Sequence, residues 1–298
     1  MSNFDLQATI SRLFVYPIKS CAGVELKESL LLETGLEFDR AWMVVDESGE
    51  FMSQRELPRM ALIAPTLKQF EMVLRAPGML ALHIALDAVE KPCTVQVWND
   101  TCKAYDMGDT AAQWFTDFLM QEIPAGMAAM KLRLVRFDPE HKRMSNMKWT
   151  KGQEVLNQFS DGYPVLVLSD ASLDELNERL NKAGHASVGI ERFRPNIVLS
   201  GIMAHDEDRT EQLHIATSEG EVLLGLIKPC PRCPIPDVNP STAVSSPEVG
   251  QMLETYRQDS RVDGAITFGM NAMVLGQTAA QFELPLAVGQ RVQATLQF

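Results

Sequence analysis

With 298 residues, 46% of them hydrophobic and 22% charged, the chain has the makeup of a globular protein with room for two cores. Its net charge of −12 and pI near 4.9 argue against nucleic acid and anionic membranes as partners, because both want a basic face. Five irregularly spaced cysteines (Cys21, Cys93, Cys102, Cys230, Cys233) do not form a disulfide framework, which points to a reducing compartment, the cytoplasm.

The first quarter reads as β. Short apolar runs at 10–18, 26–32 and 41–45 have strand length, and Asp46-Glu-Ser-Gly-Glu50 reads as a turn in which Gly49 can take positive φ. Further strands are expected at 61–67, 72–75, 79–86 and 94–98. A helix over 110–121, capped by Asp109, gathers Trp114, Phe115, Phe118 and Leu119 on one face. The small-residue run that follows sets a domain boundary between Gln121 and Leu132, dividing the chain into about 1–125 and 126–298. Polar residues 141–153 lack periodicity and read as a mobile loop beside a site. Strands are then expected at 132–137, 164–168, 196–200, 221–227, 265–275 and 291–298. Two helices interrupt them. One opens on a capping box, Ser172-Leu-Asp-Glu175, and stops at Gly184; the other starts at Ser246-Pro247 and runs to about Arg257. Many short strands and three helices make the fold mainly β (α+β), a sandwich or barrel. The N-terminus lacks the basic and apolar regions of a signal peptide, and no window reaches the length of a membrane span.

Lys228-Pro-Cys-Pro-Arg-Cys-Pro-Ile-Pro-Asp-Val-Asn-Pro240 holds two thiols around Arg232 in a proline-stiffened segment that cannot be helical. One Cys-x-x-Cys is half a zinc site, and the segment lacks the helix that follows a thioredoxin-type dithiol. A single thiolate on a soft metal fits the rigid loop better. Three other motifs carry groups suited to an anion: Lys19 and Ser20 in Tyr16-Pro-Ile-Lys-Ser-Cys21, Arg40 after Asp39, and Arg194 with Asn196 in Arg192-Phe-Arg-Pro-Asn196. Taken singly, each also reads as a solvated loop or a surface ion pair. Together, in so acidic a chain, they outline an anion site if the fold brings them together.

These motifs, with Phe38-Asp-Arg-Ala-Trp42 and Phe268-Gly-Met-Asn271, occur in an order that resembles MOSC proteins with an N-terminal MOSC β-barrel, the group containing the amidoxime-reducing components. The resemblance spans about 10–298 and implies a MOSC barrel beside a smaller β-rich N-terminal domain. It also implies the molybdenum cofactor, a molybdopterin. By that resemblance Cys233 is the catalytic thiolate and metal ligand. Lys19, Ser20, Arg40, Arg194, Asn196 and Arg232 contact the pterin and its phosphate, and Ser160, Asp161 and Asn271 are further cofactor contacts. The implied reaction is two-electron reduction of small N-hydroxylated compounds. The chain has no further cysteine cluster of the kind found in relatives with a fused ferredoxin domain, so a separate ferredoxin- or flavoprotein-type donor is expected. A non-catalytic carrier of molybdenum cofactor or sulfur is the alternative.

Overall fold

The computed structural model describes residues 4–275 and 283–297. Seven strands, labelled in chain order, form the ring of the larger, nine-stranded sheet: β1 (Leu6–Val15), β2 (Val165–Ser169), β3 (Ile197–Ser200), β4 (Thr210–Ala216), β5 (Glu221–Pro231), β6 (Ala265–Val274) and β7 (Arg291–Leu296). They hydrogen-bond in the order β2-β3-β1-β7-β4-β5-β6, and β6 pairs back onto β2. The sheet is therefore a closed barrel. Only the β2–β3 pair in this ring is parallel. Alternating aliphatics such as Ile10, Leu13, Val167, Ile197, Leu213 and Ile215 fill its core. Gly269 lets β6 approach β2, since a side chain there would press on the Val167 carbonyl, 2.8 Å from where its Cβ would lie.

The second core surrounds Trp42, Phe115 and Phe118, all fully buried. Trp42–Val45, Arg133–Phe137, Asp100–Asp106 and Lys91–Val97 form a four-stranded antiparallel sheet in that order. The helices are α1 (Gly108–Leu119), α2 (Asp170–Lys182) and α3 (Glu248–Glu254). The apolar face of α1 joins this second core. Leu176 and Leu180 of α2 meet Val249 and Leu253 of α3 in a cluster with Phe14, Phe193 and Phe268. No helix among the described residues is long and apolar enough to cross a membrane.

The expected mainly β fold with a barrel and three helices is what the structure shows, with local corrections. Asp109 lies inside the first turn of α1 and pairs with Arg133, so it is not the cap. The cap of α2 is Ser169, whose hydroxyl accepts from the Ser172 amide; the expected capping box starts one turn late. Glu175 instead pairs with Arg179. α3 ends at Glu254, short of Arg257. The expected proline loop begins as strand, because β5 runs to Pro231 through irregular register after Leu226 and Pro229, which leaves no ladder hydrogen for its prolines to supply. The terminal strand ends at Leu296; Phe298 lies outside the described residues. Strand pairing also crosses the sequence position 121–132, since Arg133–Phe137 joins Trp42–Val45 while β1 sits in the barrel.

Candidate functional site

All ten residues singled out from the sequence (Lys19, Ser20, Arg40, Ser160, Asp161, Arg194, Asn196, Arg232, Cys233 and Asn271) line a single cavity of about 690 Å³. The loop after β1 brings Lys19 and Ser20. The turn before Trp42 brings Arg40, the loop before β2 brings Ser160 and Asp161, and the turn before β3 brings Arg194. Beyond the strand end of β5 come Arg232 and Cys233.

Ser20, Arg40 and Arg194 all adopt left-handed backbone, with φ of 67°, 51° and 58°. Each costs about 1 kcal/mol or more for a residue with a Cβ. Two of these residues bring guanidiniums over the buried Tyr16 ring, with Arg40 Cζ 4.3 Å and Arg194 Cζ 4.2 Å from its centroid. Burial holds the Tyr16 phenol well above its ordinary range although both arginines pull the other way.

The cations are held in two different ways. Lys19 donates to the Phe159 carbonyl at 2.9 Å and pairs with Asp161. The Asp161 side chain is exposed, and Lys19, the Trp98 indole N–H at 3.2 Å and Arg40 keep its carboxyl well below the usual carboxylate range. Arg40 pairs with Asp39, which also accepts from the Tyr16 amide at 2.8 Å; this is a buried pair, not the surface one that composition allowed. By contrast, three guanidiniums are held by backbone carbonyls. Arg192 donates to Pro236 at 3.1 Å and Arg194 to Cys21 at 2.7 Å. Arg232 donates to Phe268 at 2.6 and 2.9 Å and to Phe193 at 2.9 Å. Carbonyls fix the direction of a guanidinium without cancelling its charge. Arg194 Nη2 is buried with no hydrogen-bond partner, and burial, then Arg40, pushes the Arg194 pKa down to about 10. The cavity wall as a whole has seven Lys and Arg against two Asp, in a chain of net charge −12. Such an excess of positive charge suits an anionic ligand.

Two of the ten residues play parts their sequence context did not indicate. The Asn196 side chain ties strands together: it accepts from the Leu166 amide at 3.0 Å and from Arg40 at 3.3 Å, and donates to the Phe14 carbonyl at 3.2 Å. Its polar atoms are engaged by the fold, so it positions Arg40. Asn271 donates to the Lys228 carbonyl at 3.3 Å and steadies β5 just before the thiols. Sequence reasoning missed Arg143. Nearly buried, it donates to Asp100 at 2.8 Å, to Asn157 Oδ1 and the Gln158 carbonyl at 2.7 Å, and to the Ser160 carbonyl at 2.6 Å. That guanidinium organises the Ser160-Asp161 loop. The expected mobile loop at 141–153 is thus pinned at Arg143, where Arg143–Met144 pairs with Leu156–Asn157. The aromatic pair Phe51 and Trp98, with ring centroids 4.9 Å apart, also lines the cavity and was missed.

The two thiols differ. Cys233 is exposed at the cavity, whereas Cys230 is partly covered and burial raises its pKa against the pull of Arg232. Cys21 is fully buried and pushed up to about 12. At pH 8 a maleimide is expected to label Cys233 first and to leave Cys21 and the buried Cys102 untouched until the protein unfolds; mass mapping of the labelled peptides checks this, and early labelling of Cys21 would contradict the packing. Among the described residues no group of three or more His, Cys, Asp or Glu could hold a metal ion, so the Cys-x-x-Cys pair lacks the remaining ligands of a zinc site.

Family models for the MOSC N-terminal beta barrel domain and the MOSC domain match residues 7–122 and 156–293. The chain is 35% identical over 260 residues to the mitochondrial amidoxime reducing component 2 of Rattus norvegicus, covering 84% of this chain and 72% of that protein. It is 36% identical over 264 residues to component 2 of Bos taurus, and 33% identical over 262 residues to component 1 of Homo sapiens, with the same coverage. The chain belongs to the MOSC family. Within this MOSC protein the cavity draws on both matched regions, with Lys19, Ser20 and Arg40 from the first and Asp161, Arg194 and Cys233 from the second. Arg143 falls between them.

Proposed function

We propose that the protein is a molybdenum-cofactor-dependent reductase of small N-hydroxylated compounds, supplied with electrons by a separate protein. The observation that carries this reading is the combination, in one cavity, of an exposed thiol with three guanidiniums, Arg192, Arg194 and Arg232, that donate to backbone carbonyls. A phosphate-bearing, sulfur-rich metal cofactor needs both. Its relatives named amidoxime reducing components support the same class of substrate.

The residues present fit that cofactor. Lys19, Ser20, Arg40, Arg194 and Arg232 would hold the pterin and its phosphate, which would satisfy the orphaned Arg194 nitrogen. Ser160, Asp161 and Asn271 would border it, and Cys233 would bind the metal through a soft thiolate. When bound, the cofactor supplies two-electron oxygen-atom chemistry. The overall reaction breaks the N–O bond, consumes two electrons and two protons, and releases the oxygen as water. The chain's own part is to orient the substrate against the Phe51 and Trp98 wall and to fix the charge around it. Five free thiols support a reducing compartment such as the cytoplasm.

The test is to purify the protein from cells that make the cofactor and to measure molybdenum and the fluorescent oxidised pterin. Stoichiometric amounts of both, with reduction of benzamidoxime by a reduced viologen, are expected. Absence of both rejects the reading. Cofactor without turnover leaves a carrier.

A further inference from the structure

One side of the cavity mouth is positive on a chain that is otherwise strongly negative. Residues 141–153 contain Lys142, Arg143, Lys148 and Lys151 and no carboxylate, although Glu140 and Glu154 flank the segment and Lys151 lies 3.8 Å from Glu211, which leaves Lys142 and Lys148 as the main positive groups. Arg143 is turned inward, while the three lysines are exposed. The Lys148 ammonium lies 5.7 Å from the centre of the Trp149 ring, and the Lys228 ammonium lies 5.7 Å from that ring and from the Tyr163 ring. Trp149 is thus flanked by two cations, one of which rests on a cavity-wall tyrosine. Exposed methionines border them, Met144 at 37% and Met147 at 49%. Met144 and Asn146 line the cavity, so this surface is continuous with its rim. Methionine and an aromatic among lysines form an adaptable apolar centre with a charged periphery, which is the makeup of a protein-binding face.

We infer that this rim is the docking face for the electron donor, a small redox protein whose centre is ringed by carboxylates. The inference rests on the reductase reading above. The lysines stand outside the cavity, so a small substrate can enter without touching them, whereas a macromolecule approaching the mouth meets them first. With a net charge of −12 the chain as a whole repels an acidic partner, so the local lysines favour the approach that brings a redox centre to the cavity.

An acidic plant-type ferredoxin with its reductase serves as the probe, and the molybdenum-loaded protein is assayed for benzamidoxime reduction. The double variant Lys142→Glu, Lys148→Glu is expected to raise KM for ferredoxin about tenfold at low ionic strength. Its kcat with saturating reduced viologen stays at the wild-type value. Wild-type KM for ferredoxin rises with salt, as local attraction is screened over about 10 Å at 0.1 M. The matched change Lys27→Glu, Lys182→Glu, at exposed sites elsewhere, leaves KM unchanged. Equal losses in both double variants, an unchanged KM in the first, or turnover with viologen but none with ferredoxin overturns the assignment. If neither donor drives the wild type, the reductase reading fails and calorimetry with oxidised ferredoxin decides the docking face by itself. Salt-sensitive binding that disappears in the Lys142, Lys148 variant upholds it. No binding, or rim-dependent binding to phosphatidylserine vesicles instead, overturns it.

Discussion

Replacing Cys233 with alanine is expected to abolish molybdenum-dependent turnover, lowering kcat by more than about 100-fold, because loss of a metal ligand costs at least as much as loss of its supporting partners. Cys230→Ala is expected to keep a measurable fraction. The asymmetry follows from placement. Cys233 lies past the end of β5 with its thiol exposed at the cavity, while Cys230 is still part of the strand and partly covered. Truncating an exposed side chain leaves no core void, so a Cys233→Ala protein that melts like wild type but fails to turn over isolates the chemical role. Steady-state rates and bound molybdenum for both variants are the readout. Equal total losses, or a fully active Cys233→Ala protein, reject the assignment of the metal ligand.

The second large effect is on stability. Arg143→Met is expected to destabilise the fold by about 3 kcal/mol, because three acceptors around Asn157, Gln158 and Ser160 lose their donor, at roughly 1–3 kcal/mol for each one left buried and unsatisfied. Asp100 contributes less, since its half-exposed carboxylate can be rehydrated. The Ser160-Asp161 loop should loosen with it, so retention of the cofactor falls as well. Urea unfolding monitored at constant m-value measures the first effect, and molybdenum content the second. A stability change below about 1 kcal/mol would show that water replaces the guanidinium without penalty.

The barrel was legible because strands such as Val165–Ser169 and Ile197–Ser200 are short, continuous apolar runs, and the aromatic face of α1 was legible from its helical spacing. Strands Asp100–Asp106, β4 and Leu284–Ala287 were not. The buried positions of Asp100–Asp106 are only Cys102 and Ala104, too small to stand out between charged neighbours. In β4 the apolar signal comes down to Leu213 and Ile215. Leu284–Ala287 is four residues long and owes its state to pairing with Glu28–Leu32, far away in sequence. The cavity residues could be singled out because unusual side chains sat in turn-rich, proline-bounded motifs. Their convergence could not be seen, as it depends on barrel closure. Arg143 was hidden for another reason: a buried arginine within a polar stretch reads as solvated until its four acceptors are located.

The barrel also constrains the order in which the chain can fold. β1 is translated first, yet its two ring neighbours are β3 at Ile197–Ser200 and β7 at Arg291–Leu296. A ribosome must therefore make nearly the whole chain before the first strand gains its second partner. Contacts of such long sequence separation belong to slow-folding topologies. Val24–Leu26 can cover Leu13–Val15 early, but until β7 emerges the Leu6–Thr9 half of β1 remains on an open edge, the state in which a nascent chain most needs a chaperone.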